Sequence, residues 1–185
     1  MKSTPVRRRI LETASRLFYQ EGYSLVGINE IIAQAGVAKT SLYQHFSSKE
    51  ELCVAFLTQK EQEWSAGLHA FLASYPNDSS RITGVFDYLE HLAAQPGFNG
   101  CWALNTFPQV PKDQPLILEE IRKQKEAFVA LFKKLVEAYT PVADPLRVAR
   151  RLYLLYEGAL IESRIHREDW PIREAKALVP VLVAQ

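Results

Sequence analysis

The stretch 35–46, AGVAKTSLYQHF, places one glycine ahead of a segment rich in hydrogen-bonding side chains. Just before it, isoleucine and alanine recur over 28–35 with the spacing of one helix face. Gly36 can adopt the positive φ that a tight turn between two helices requires. Leu42 and Phe46 then fall on the inward face of a further helix. Two short helices joined by such a turn predict a helix-turn-helix.

The outward side chains of this further helix are of the types that contact DNA. Lysine, tyrosine and histidine reach phosphate oxygens, whereas threonine, serine and glutamine can hydrogen-bond base edges in the major groove. We therefore interpret it as a recognition helix, and its candidate DNA-contacting residues are Lys39, Thr40, Ser41, Tyr43, Gln44 and His45. The alternatives are a half-buried packing role for Tyr43 and plain helix positions for Thr40 and Ser41.

Charge is unevenly distributed along the 185 residues, whose net charge is +1. Residues 1–49 hold seven lysines and arginines against three glutamates, so the remainder is slightly acidic. A basic N-terminal part favours a polyanion partner for that part alone. Within it, Arg7, Arg8 and Arg9 form either a solvated face or, beside a recognition helix, a contact with phosphate or the minor groove.

The rest of the chain reads as helical, with no strand pair, and we expect an all-α fold of about nine helices. Residues 1–47 are predicted to form a three-helix DNA-binding domain. Residues 48–185 are predicted to form a larger helical domain, whose first helix, 48–74, connects the two. Helix starts and stops are indicated at Thr4-Pro5, Gly22, Ser48-x-x-Glu51, Asp144-Pro145 and Trp170-Pro171. Pro180 should kink or end the last helix.

The chain has no signal for a metal site, a cofactor or a membrane span. Its two cysteines and four histidines lack close metal-ligand spacing. No apolar run approaches the ~20 residues that a span needs, and the N-terminus lacks the pattern of a signal peptide, so we expect a cytoplasmic protein without metal or cofactor. Cys101 is expected to be a buried structural thiol; the alternative is a sensor of oxidants or electrophiles.

The sequence AGVAKTSLYQHFSSKEEL at 35–52 resembles the signature of TetR-type transcriptional regulators, and LFYQEGY and INEIIAQAGV extend the resemblance upstream to about residue 8. The resemblance implies a homodimer that binds a palindromic operator in double-stranded DNA and releases it when a small-molecule effector binds the C-terminal domain. It also implies phosphate contacts from Tyr43, His45 and Lys49, with the remaining recognition residues facing bases or phosphates. Three positions depart from the family pattern, namely Ala38, Ile32 and Gly27, and the first removes a usual helix cap.

The resemblance also places the dimer surface on the last two long helices, 144–167 and 171–183. Candidate interface residues are Leu152, Tyr156, Ala159, Leu178 and Leu182, although each could equally be intramolecular core. Candidate residues of an effector pocket are Trp64, Phe86, Leu89, Trp102, Asn105 and Phe128, with plain core as the alternative for each. A mostly aromatic pocket with few polar groups suits a hydrophobic or planar ligand.

The leading interpretation is therefore a ligand-responsive repressor. An activator of the same fold remains open, because that depends on where the operator lies. A second alternative is a helical interaction module whose helix-turn-helix no longer binds DNA. An enzyme is disfavoured, since the sequence contains no GxSxG, no glycine-rich phosphate loop and no HExxH.

Overall fold

The computed structural model describes residues 5–184, which form nine α-helices, one 3₁₀ turn and no strand. The helices are α1 (Pro5–Gln20), α2 (Ile28–Ala35), α3 (Lys39–His45), α4 (Lys49–Leu72), α5 (Ser80–Ala93), α6 (Trp102–Thr106), α7 (Pro115–Tyr139), α8 (Pro145–His166) and α9 (Trp170–Val183), and the 3₁₀ turn is Phe107–Gln109. The predicted all-α class and helix number are confirmed. The predicted cap at Thr4 lies outside the described residues.

The described residues form two compact units. Unit 1 consists of 5–62 and 101–123, and unit 2 consists of 63–100 and 124–184. Helices α4 and α7 each contribute residues to both units. The predicted boundary after residue 47 falls inside unit 1, and the division into a DNA-binding and a larger helical domain stays a prediction.

Unit 1 is built on the apolar face that the period of α1 predicts. Four apolar residues of α1 recur at helical spacing and are all buried, namely Ile10, Ala14, Leu17 and Phe18. The ring of Phe18 packs edge-on against Tyr23 and Phe56, with centroids 5.4 and 5.7 Å away. Burying a large apolar side chain stabilises a fold by about 1.5–3 kcal/mol, so this cluster holds α1, the loop after it and α4 together.

The helix ends follow from a few residues with special conformations. Gly36 ends α2 with φ 60° and ψ 45°, the left-handed conformation predicted for the turn, and Gly22 after α1 also has positive φ, at 99°. Asp144 caps α8 as predicted, because its Oδ1 accepts the N–H of Arg147 at 3.0 Å. Helix α9 continues through Pro180 to Val183, so this proline does not end the helix.

Unit 2 has α9 packed against both α8 and α5. The ring of Phe86 on α5 lies 5.6 Å from that of Tyr156 on α8. On the polar side, Lys176 Nζ of α9 contacts Asp87 at 2.9 Å and Glu90 at 2.7 Å, both on α5. These contacts fix three helices to one another through an apolar core and an ion-pair cluster.

Replacing Gly36 with alanine should destabilise the protein through backbone strain alone, because nothing lies within 4 Å of the added Cβ. A left-handed non-glycine residue costs about 1 kcal/mol, so we expect the melting midpoint to fall by about 2–4 °C. The control is Gly27→Ala, where space is equally open but φ is −88°. Circular dichroism melts should show a change of about 1 °C or less for the control. Equal losses in both variants would contradict this account.

Candidate functional site

Helix α3 presents a polar face to solvent. Leu42 and the following Phe46 are fully buried, and this burial turns the opposite face outward. The predicted recognition residues Lys39, Thr40, Tyr43 and Gln44 are exposed, and Ser41 and His45 are partly exposed. Hydrogen-bonding groups on an exposed helix of this kind can reach phosphates and base edges in a major groove. The structure thus brings all six predicted residues of α3 onto one short helix.

The turn before α3 is held by backbone bonds rather than by side-chain caps. The N–H of Gly36 donates to the carbonyl of Ala33, and that of Val37 donates to Ile32. Neither Gly27 before α2 nor Ala38 before α3 makes a side-chain cap hydrogen bond. As Ala38 predicted, α3 has no side-chain cap at its N-terminus. The backbone hydrogen bonds from Gly36 and Val37 hold the turn instead.

Two arginines of α1 contact the helix-turn-helix. The Arg7 guanidinium carbon lies 4.7 Å from the ring centroid of Phe46, a cation–π contact at the end of α3. The Nη2 of Arg9 donates to the carbonyl oxygen of Gly36 at 3.3 Å. The sequence marks Arg9 only as part of a basic run, because a contact with a residue 27 positions away leaves no local signal. Both contacts place positive charge beside the recognition helix.

The start of α4 carries the predicted capping box in altered form. Ser48 Oγ accepts the N–H of Glu51 at 3.0 Å, as predicted. The Glu51 carboxylate accepts instead from the N–H and Oγ of Ser47, at 2.7 and 2.6 Å. These bonds from the Ser47 side chain and backbone lower the pKa of Glu51. They fix the corner through which α3 passes into α4.

Lys49, a predicted phosphate contact, is directed into unit 1. Its Nζ donates to the carbonyl oxygen of Tyr23 at 2.7 Å and lies 4.3 Å from the centroid of the Tyr23 ring. Burial lowers the pKa of Lys49. An ammonium group has three N–H donors, and the bond to Tyr23 uses one of them. The other two are available for a phosphate contact, which stays a prediction. The structure adds a role that the sequence did not indicate, because lysine beside a recognition helix suggests exposure.

Three of the predicted pocket residues meet in an aromatic cluster of unit 2. Phe128 on α7 lies 4.9 Å from Trp64, 5.0 Å from Phe132 and 4.8 Å from Tyr156, measured between ring centroids. Phe86 joins through the rings of Phe132 and Tyr156, at 6.0 and 5.6 Å. Leu89 is buried in the same unit. Trp102 and Asn105 lie on α6, which belongs to unit 1.

A mostly buried ion pair lies beside this cluster in unit 2. Lys125 Nζ contacts both carboxylate oxygens of Glu157, at 2.8 and 2.9 Å. The two side chains are only 17% and 13% exposed. Since Lys125 is three residues before Phe128 on α7, the pair puts both signs of charge next to an apolar cluster. The pair was not predicted, because the two residues are 32 positions apart.

Unit 2 also contains an open cavity of about 790 Å³ that the sequence did not predict. Its lining includes Glu90, Phe98, Arg164 and Ile172. The guanidinium of Arg164 donates to Asn99 at 2.8 Å across this region. The lining comes from α5, the segment after it, α8 and α9, so no local pattern marks it.

Burial bears on three of the predicted dimer-interface residues. Leu152, Tyr156 and Ala159 are buried in the isolated chain, and Tyr156 packs against the aromatic cluster. This burial favours intramolecular core, the alternative that the sequence left open, and a place for these residues in a dimer interface stays a prediction. Leu178 is 49% exposed and Leu182 is partly exposed, so the prediction stays open for these two.

Both cysteines, Cys53 and Cys101, are buried thiols outside any disulfide. Burial raises the pKa of the Cys53 thiol, which disfavours the reactive thiolate. Within residues 5–184, none of the helices combines the length and the apolar character that crossing a membrane would take.

Comparison with known proteins gives one consistent family. Residues 10–56 match the family described as bacterial regulatory proteins, tetR family. The chain is 27% identical to the HTH-type transcriptional repressor NemR of Escherichia coli strain K12, over 96% of this chain and 94% of that protein. It is 37% identical to the HTH-type transcriptional activator FasR of Mycolicibacterium smegmatis over 89 residues, 46% of this chain and 41% of that protein.

Similarity to solved structures extends over almost the whole chain. The crystal structure of SCO4454, a TetR-family transcriptional regulator from Streptomyces coelicolor, matches with a TM-score of 0.88 at 27% identity. The match covers 98% of this chain and 89% of that chain.

The corner between α3 and α4 should lose stability in acid because of Glu51. A carboxyl group with a lowered pKa in the folded state stabilises fully above its unfolded value of about 4.5 and loses this effect as the pH falls through the folded pKa. We expect Glu51→Gln to lower the melting midpoint by about 2 °C at pH 7, with the difference shrinking below pH 4.5. Thermal melts from pH 3 to 7 measure this. Glu119→Gln, at an exposed position of α7, is the control, and a pH-independent difference for Glu51→Gln would contradict the assignment.

Proposed function

Because the chain belongs to the TetR family of bacterial regulatory proteins, we propose that this DNA-binding transcriptional regulator is a repressor that binds a palindromic operator as a homodimer and is released by a small hydrophobic effector. It is a regulator and not an enzyme, as are the relatives it matches. Binding to operator DNA would place it in the cytoplasm.

The observation that carries this proposal is the exposed polar face of α3. Tyr43 and His45 are assigned to phosphate oxygens, and Lys39 to phosphate or a guanine edge. Gln44, Thr40 and Ser41 are assigned to base edges; a glutamine can bond adenine with both atoms of its amide. Arg7 and Lys49 are assigned to the flanking phosphates, each keeping the contact inside unit 1 described above.

A two-fold dimer is needed because one helix-turn-helix covers a single half-site, and two half-sites lie about 34–36 Å apart. An exposed apolar stripe on α8 supports such a dimer. Leu154, Ile161 and Ile165 recur at helical spacing and are all exposed. On α9, Leu178 and Val181 are likewise exposed, and we assign both stripes to the dimer interface.

Gly158 supports the same assignment. It lies between Leu154 and Ile161 on α8 and is exposed, with nothing within 4 Å of a Cβ built on it. A glycine within a helix costs about 0.5–1 kcal/mol relative to alanine. A partner helix that crosses closely at this position would account for its presence.

The effector is assigned to the aromatic cluster around Phe128 in unit 2. Apolar rings with one adjoining ion pair suit a hydrophobic or planar molecule that carries a single polar group. Helix α4 contributes to both units, and we assign it the connecting role predicted for 48–74. The effector would act by population shift, binding better to a conformation whose recognition helices no longer fit successive major grooves.

An activator is the second candidate, and one observation favours it. The match to FasR, named as an activator, has the higher identity of the two relatives, although it covers less than half of either chain. Operator position relative to the promoter distinguishes the two. The alternative of a helical interaction module whose helix-turn-helix no longer binds DNA predicts no salt-sensitive DNA binding at all.

Two substitutions on α3 should separate base contacts from phosphate contacts. We expect Tyr43→Ala to weaken binding about 5- to 10-fold on every duplex, because phosphate contacts carry no sequence information. Gln44→Ala should instead change the preferred base at one position of each half-site. Selection from a random duplex library, followed by sequencing at two salt concentrations, measures both.

The control for this pair is Gln20→Ala, at an exposed position at the end of α1. If Tyr43→Ala and Gln44→Ala both scaled affinity uniformly, the base-reading role of Gln44 would be wrong. If the parent protein enriched no duplex at either salt concentration, the DNA-binding proposal itself would fail.

Placing a charge in the exposed stripe should break the dimer. We expect Leu178→Glu to raise the dimer dissociation constant at least about 100-fold, because association would bury an unpaired carboxylate. Sedimentation velocity at micromolar concentration measures this. The control is Leu25→Glu, at a leucine of unit 1 that is 80% exposed. A Leu178→Glu variant that sediments like the parent would rule out α9 as the interface.

A further inference from the structure

The loop between α1 and α2, residues 21–27, is bonded to a segment more than 80 positions away. The Tyr23 hydroxyl donates to Gln114 Oε1 at 2.5 Å, and the Tyr23 ring is buried. Burial raises the pKa of Tyr23, so its hydroxyl keeps the proton it donates. Gln114 directly precedes α7, and this bond therefore ties the loop to the start of that helix.

A second glutamine holds the next residue of the same loop. Gln109 Oε1 accepts from both the N–H and the Oγ of Ser24, at 2.9 and 3.0 Å. Its own amide nitrogen donates to the carbonyl of Asn105 at 2.8 Å, which orients the side chain. A Cβ at Gly22 would lie 2.7 Å from Gln109 Oε1, so the glycine is what admits this close approach.

A third bond joins α4 to α7 inside unit 1. Glu50 Oε1 of α4 accepts the N–H of Leu116 at 2.8 Å. This N–H belongs to the first turn of α7, where a helix has no internal acceptor for it. A carboxylate at this end is also favoured by the helix dipole. The N-terminus of α7 is thus capped by a residue from the helix that follows the recognition helix.

We propose that these three bonds, Tyr23–Gln114, Ser24–Gln109 and Glu50–Leu116, form a clasp through which the position of α7 controls the helix-turn-helix. The proposal rests on the proposed function and adds the route of regulation. Helix α7 is continuous from Pro115 to Tyr139; its first residues hold the clasp, and Lys125 and Phe128 further along it lie in the proposed effector site of unit 2. The loop 21–27 leads directly into α2, so a shift of α7 reaches the two helices that must fit the groove.

The positions of these bonds along the chain explain why α4 alone is an incomplete route for regulating the helix-turn-helix. Helix α4 joins the units after the recognition helix, whereas two of the three clasp bonds, at Tyr23 and Ser24, hold the chain before α2. Helix α4 attaches the helix-turn-helix to the rest of the chain at its exit, and the loop bonds add an attachment at its entry. The Tyr23 and Ser24 bonds of the clasp supply the entry attachment, and its Glu50 bond lies at the exit, beside the corner formed by Ser47, Ser48 and Glu51.

Coupling of this kind is reciprocal, so DNA can serve as the probe in place of an unidentified effector. The experiment measures amide hydrogen exchange of residues 124–136 with and without the duplex enriched from the random library. We expect the duplex to slow exchange in the parent by about threefold or more. In Tyr23→Phe/Gln109→Ala the protein should still bind the duplex at saturation, but the change at 124–136 should fall below about 1.5-fold.

The matched control is Tyr139→Phe/Gln95→Ala. Tyr139 also donates its hydroxyl at 2.5 Å, to Asn77, and Gln95 Nε2 donates to the carbonyl of His91, so this variant loses comparable bonds outside the clasp. It should keep the response of the parent. If the double clasp variant does not fold, Tyr23→Phe alone, which deletes a single hydroxyl, should reduce the response at least about twofold.

Each remaining outcome overturns a distinct statement. A duplex that binds but leaves exchange at 124–136 unchanged in the parent would refute the coupling through α7. An unchanged response in the clasp variant would refute the clasp while leaving the regulator intact. A parent protein that binds no duplex would refute the proposed function, and the clasp with it.

Discussion

Burial of Leu42 and Phe46 is the constraint on which the recognition surface depends. A helix of seven residues is too short to be stable in water by itself, so α3 exists because its apolar side chains enter the core of unit 1. That same insertion determines which side chains point outward. We therefore expect a change in the packing around Leu42 or Phe46 to reorient Tyr43 and Gln44 as well.

Polar contacts add to the arrangement of the helix-turn-helix that the apolar core sets. Arg9 reaches the turn at Gly36, Arg7 covers the ring of Phe46, and Lys49 closes onto Tyr23. Each of these contacts is made by a positively charged side chain, and such a side chain would also attract the phosphates of DNA. In this chain, positive charge thus serves both the internal order of unit 1 and the field that the proposed DNA partner would meet.

Local signals predicted the helices well, and distant contacts account for what they missed. Gly36 and Asp144 act through their own backbone or the next turn, so the sequence contains all the information they need. Helix α8 is different, because it has two apolar stripes at helical spacing. Leu152 and Tyr156 turned out to be buried while Leu154 and Ile165 are exposed, and periodicity cannot rank two such faces. The bonds of the clasp join residues 66–91 positions apart and leave no local pattern.

The division of unit 1 into two chain segments affects how the protein can fold during synthesis. Residues 5–62 include the whole helix-turn-helix, but the unit is complete only with 101–123. Translation at roughly 5–20 residues per second separates these segments by about 3–12 seconds. During that interval Tyr23 has no Gln114 to bond and α1 has no α6 to contact. The helices that would meet DNA therefore emerge from the ribosome before residues 101–123 and acquire their final support only once that segment has been made.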